Sequence, residues 1–236
     1  MKRRIPPHHL AALRRSDTPA PLAAALATSL LPLLGVWLLH WPVVAVIGLY
    51  WLDNVIIGVF HGLRMLSAQG RLLDPDYEAA LAASSAHSIE ERRQMIANAG
   101  NLQHFVMPGV FVLHYGAFCA GHALFIALLF DGAFSGWGNA LFLVTVAIMV
   151  LQQARELRRF HADPELRALP RVLLMFQPYP RVIALHLALL FGAVPALFGH
   201  PLIAALLLAG IRFWAERSGA LSIVALLERR NADATT

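Results

Sequence analysis

The chain has 236 residues, 58% of them hydrophobic and only 14% charged, with a formal charge of +5 and a mean hydropathy of +0.60. So little charge cannot cover the surface of a water-soluble domain of this size, which makes the lipid bilayer the expected solvent and partner. The arginines fall in short segments between apolar runs, a pattern of membrane topology rather than of a nucleic-acid-reading face, so no nucleic-acid partner is expected.

Residues 1–19 open with MKRRIPPHHLAALRRSD, too basic and polar for a cleavable leader, and are expected to form a cytoplasmic tail. A helix needs about 20 apolar residues to cross a bilayer. Six runs qualify: Pro21–Leu39, Val43–Leu66, Phe105–Phe130, Ala140–Arg155, Arg181–Phe198 and Pro201–Trp214. They predict an all-α polytopic membrane protein, a six-helix bundle over 20–217 followed by a cytoplasmic tail over 218–236. Two connections are tight, His40-Trp41-Pro42 and Gly199-His200-Pro201, and each sets proline where a new helix can start without wasting an N–H.

Basic residues set the orientation. Lys2, Arg3, Arg4, Arg14 and Arg15 precede span one; Arg64, Arg71, Arg92 and Arg93 follow span two. Arg155, Arg158, Arg159, Arg167 and Arg171 follow span four, and Arg217, Arg229 and Arg230 close the chain. The connections LLHWP, DGAFSGWGN and LFGHP carry neither lysine nor arginine. The alternation predicts both termini in the cytoplasm and three short external loops. The connection over about 67–103 is expected to hold one or two short interfacial helices, with Asp74 as a cap, Pro75 in the first turn and Gly100 at the end. Cys119, the single cysteine, excludes an intrachain disulfide and a cysteine-built zinc or iron–sulfur centre.

Polar residues inside the apolar runs are where chemistry is expected, because a buried carboxylate costs about 2.5 kcal/mol or more on insertion scales. Span two carries Asp53, Asn54 and His61; span three carries His114, Tyr115 and His122; span five carries His186. At about 100° per residue, His104, Pro108, Phe111, Tyr115 and His122 share one edge of span three. The opposite edge collects Gly109, Gly116, Ala120, Ala123 and Ala127, a row that suits close helix packing. Counting from the span ends places Asp53 level with His122, and places His61, His114 and His186 at a deeper level.

The run Trp51-Leu52-Asp53-Asn54 with Gly58 and Arg64-Met65, then His114-Tyr115-Gly116-x-Phe118-x-x-x-His122, then Pro178-Tyr179-x-Arg181, resembles a bacterial integral-membrane family known as domain of unknown function 6498. The resemblance covers nearly the whole chain and implies the same architecture, with no activity attached. In that family pattern the acidic residue before the asparagine is often Glu, and an asparagine often stands where this chain has His61. That leaves Asp53, His114, His122 and His186 as the stronger set.

Imidazoles with a carboxylate suit Zn²⁺, Fe²⁺, Mn²⁺ or Cu²⁺. The leading expectation is therefore a divalent metal bound by Asp53, His61, His114, His122 and His186, backed by Asn54 and Tyr115, for transport or for metal-dependent chemistry on a membrane substrate. The alternatives are a haem held axially by two histidines, a proton or ion conduit, and a structural or partner-binding role without catalysis. A homo-oligomer fits a bundle this thin. Zincin, serine-hydrolase and phosphate-loop motifs are absent from the sequence.

Overall fold

The computed structural model describes residues 7–16, 21–70, 89–130, 137–179 and 198–217, with Val182, Ile183, His186, Leu187, Phe191 and Pro195 between the last two stretches. The described residues are mostly helical and include no strand. In chain order the helices are α1 (Pro7–Ser16), α2 (Leu22–Leu38), α3 (Val43–Ser67), α4 (Ile89–Leu129), α5 (Ala140–Ala162), α6 (Pro164–Arg167), α7 (Arg171–Met175) and α8 (Pro201–Arg217). Val182, Ile183, His186, Leu187, Phe191 and Pro195 also have helical backbone.

Three segments are long and apolar enough to cross a membrane: Val44–Ser67, His104–Leu128 and Ala140–Ala162. Leu22–Leu38 and Leu202–Trp214 are apolar but shorter. The chain is therefore a membrane protein by helix length and composition. The central span is α3, whose apolar window is 67% buried, against 22% for α4 and 17% for α5. That difference follows from its neighbours, since α4, α5 and α8 all pack against α3, while α2 packs on α5 and α8.

Local chemistry explains the ends. Asn139 caps α5 by accepting from the Leu141 N–H at 2.9 Å, and Asp163 with Pro164 starts α6. The turn after α2 places His40 at φ 52° and sends the Trp41 ring across Gly35, where a Cβ would lie 2.4 Å from it. Gly199 takes φ +81° before α8, a conformation that favours glycine.

Two expectations change. The helix through Gly100 does not stop there but continues as one 41-residue element from Ile89 to Leu129. A glycine weakens a helix by about 1 kcal/mol without ending it, and helix formers flank this one. The part of the connection holding Asp74 and Pro75 lies outside the described residues. The small-residue edge of α4 also has no partner within the described chain: a Cβ added at Gly109 or Gly116 meets nothing within 4 Å.

Among the described residues, the basic segments before α2, after α3 and after α5 share one end of the bundle. There α1 packs on α6, through an Arg15–Glu165 ion pair and a bond from Gln177 to the Ser16 hydroxyl. At the same end, Gln69 N–H donates to Arg167 O at 2.6 Å, and Gly70 bridges Pro170. Arg171 is buried there, donating from Nε to Met65 O at 3.1 Å and from Nη2 to Ala68 O. Its Nη2 also donates to His104 Nδ1 at 2.7 Å. The guanidinium thus closes the carboxyl end of α3, where unpaired carbonyls and the helix dipole favour a cation. Burial pulls it below its ordinary value.

Candidate intramembrane site

Three contacts fix α3 antiparallel to α4. Trp51 Nε1 donates to Cys119 O at 2.8 Å, Tyr115 Oη donates to Asn54 O at 3.0 Å, and the His61 and Phe111 rings lie 5.3 Å apart. The Tyr115 ring settles against Gly58, where a Cβ would lie 2.4 Å from it. This register sets Asp53 opposite the neighbourhood of Phe118, about one turn short of His122. End-counting misses that turn because side-chain fit, not span length, aligns the two helices.

Consecutive residues leave a helix about 100° apart, so Asp53 and Asn54 serve different neighbours. Asp53 pairs with Arg212 of α8, and both side chains are almost fully buried at 2% and 1% exposure. The Arg212 guanidinium carbon also lies 5.0 Å from the Tyr50 ring centre. Asn54 faces α4, and its Oδ1 is buried without a hydrogen-bond partner among the described residues. His61 is buried with Nε2 2.7 Å from Leu174 O, so that nitrogen carries the proton it donates. His114 is exposed, with its ring 5.7 Å from that of Tyr179.

His122 and His186 are brought together. Their rings cross at 82° with centroids 4.5 Å apart, and His122 Nε2 contacts His186 Nδ1 directly. His186 meets this level, not the deeper one of His61, because Tyr179 already lies beside His114 and Tyr115. The chain therefore has less depth left to climb to His122. His122 Nδ1 lies 2.8 Å from Phe118 O. A carbonyl only accepts, so Nδ1 holds a hydrogen and the ring turns its Nε2 toward His186.

Two spaces meet at this pair. A groove of about 310 Å³ is walled by Ile47, Ala117, Gly121, Phe125, Ile126 and Phe130, with Phe118, His122 and His186 along its inner edge. A separate recess of about 10 Å³ shares those three side chains and is otherwise lined by Trp51, Asn54, Cys119 and Val182. Ala117, Gly121 and Phe125 are exposed, so the groove opens on the apolar flank of α4. Among the described residues, no group of three or more His, Cys, Asp or Glu side chains could hold a metal ion. The five histidine and aspartate candidates thus divide into an ion pair, a packed His61, an outlying His114 and one imidazole pair.

A family model, a family of unknown function designated DUF6498, matches residues 11–235. The chain belongs to this family. No curated protein and no solved structure matches it. In this DUF6498 chain the HYGxFxxxH stretch now has a physical reading: Tyr115 locks α4 to Asn54 and Gly58, and His122 ends the run at the groove. Two residues escaped the sequence reading. Arg212 lies within the apolar run Pro201–Trp214 and was given no role there, although Asp53 in span two signals the need for a buried cation. Arg171 was counted only as a basic residue of a connection.

Proposed function

We propose that this DUF6498 protein spans the bacterial inner membrane six times with both termini in the cytoplasm, and that His122 and His186 bind a divalent metal for chemistry on a molecule dissolved in the membrane. The single observation carrying the metal reading is the contact between two ring nitrogens, with His122 fixed by Phe118 O so that its Nε2 faces its partner. Two such nitrogens are joined by one hydrogen, or they part slightly to take a metal ion at about 2.0–2.1 Å from each. An imidazole whose second nitrogen donates to a backbone carbonyl is the usual orienting arrangement for a metal ligand.

Chemistry is favoured over transport because the space beside the pair is an apolar groove, while Asp53 and His61 are tied to Arg212 and Leu174. The topology reading is supported by the described basic segments before α2, after α3 and after α5 sharing one end of the bundle, and by the helical positions between Val182 and Pro195.

The test is thermal unfolding in detergent with Zn²⁺, Mn²⁺, Fe²⁺ and Cu²⁺ added separately. Metal at 100 times its dissociation constant stabilises by about 2.7 kcal/mol. The native protein should gain this with at least one ion, and His122→Ala and His186→Ala should not. An identical response in all three defeats the metal reading and favours a proton shared between the rings.

A further inference from the structure

The groove and the recess differ in size and lining, and together they describe a ligand. The groove, about 310 Å³, lies at the lower edge of the range for small-molecule sites and has apolar walls. The recess, about 10 Å³, is close to the least space that holds one water-sized group. Its lining includes Asn54, a residue 7% exposed whose Oδ1 is buried without a partner among the described residues. Such an acceptor asks for one hydrogen-bond donor. A phosphate or carboxylate head is too large for this recess and brings no donor when ionised.

We propose that this site takes a long-chain alcohol: an apolar chain in the groove against Ile47, Phe125 and Ile126, ending in a neutral hydroxyl that donates to Asn54 Oδ1 beside His122 and His186. The inference rests on reading the imidazole pair as the working site, and it names that site's substrate class. The opening at Ala117, Gly121 and Phe125 on the flank of α4 lets such a chain enter sideways from the membrane. Gly121 is the natural place to close it, since a Cβ there meets nothing within 4 Å.

The experiment labels the detergent-purified full chain with photoreactive hexadecanol and maps the adducts by mass spectrometry, with hexadecanol, hexadecane or hexadecyl phosphate as competitor. Metal content is measured on the same preparations. Labelling should concentrate on the α4 stretch 117–126, and hexadecanol should compete about tenfold better than hexadecane, the worth of one hydrogen bond. Gly121→Phe, with Ala117→Phe as an independent second filling, should abolish the label while metal content is kept. Asn54→Leu should erase the preference for the alcohol over the alkane.

Label spread over lipid-facing Leu113, Leu124 and Leu128 and unmoved by both fillings would overturn the inference while leaving any bound metal in place. Stronger competition by hexadecyl phosphate would overturn it as well. A metal-free native protein with the predicted labelling would remove the metal reading and uphold the alcohol site.

Discussion

Asp53 and Arg212, 159 residues apart in sequence, form an ion pair in the interior of the bundle. Asp53 stands on the most buried of the three long spans, and Arg212 reaches it from α8 beside Tyr50. Removing one partner leaves an uncompensated charge, which costs about 3–5 kcal/mol, whereas replacing both with apolar groups is often close to neutral. Asp53→Asn and Arg212→Met should each lower stability by that amount, and the double variant should recover most of it. Thermal unfolding in detergent checks this; additive losses in the double variant would mean that the two residues act separately.

Gly58 and Tyr115 set the α3–α4 register. A methyl at Gly58 would press on the Tyr115 ring, and overpacking of this kind costs about 1–3 kcal/mol. Gly58→Ala should therefore destabilise by that amount, and Tyr115→Leu in the same chain should relieve part of it. Tyr115→Phe alone, which loses only the bond to Asn54 O, should cost about 1 kcal/mol.

Arg171 holds the carboxyl end of α3 through Met65 O and Ala68 O and reaches His104 of α4. Arg171→Met keeps an apolar stem but leaves those carbonyls unpaired. Bonds to a charged group are worth about 1.5–3 kcal/mol, and a loss of at least that size is expected. Hydrogen exchange should show the last turn of α3 opening first, and unchanged protection there would remove the capping role.

Hydropathy made α3, α4 and α5 legible as membrane spans, because length and apolar content alone decide that property. Helical periodicity also grouped Phe111, Tyr115 and His122 on one edge of α4, and the first two are buried against α3, whereas the small-residue row expected to pack meets no partner among the described residues. Relative depth was not. It depends on how Tyr115 fits Gly58 and how far Tyr179 is drawn in beside His114, and neither contact leaves a trace in spacing. Arg212 was hidden for a related reason: an arginine near the end of an apolar run has the same local sequence whether it turns to water or to a carboxylate on another helix. Of the histidine and aspartate candidates, only His122 and His186 meet across two segments, a juxtaposition that periodicity within one helix cannot express.

The account turns on what lies between His122 and His186. Elemental analysis of the detergent-purified protein, beside His122→Ala, His186→Ala and His114→Ala, tests it most directly. The prediction is close to one divalent metal per chain in the native protein and in His114→Ala, lost in the other two while their unfolding remains cooperative. A native protein without metal, or equal metal in all four preparations, would contradict it.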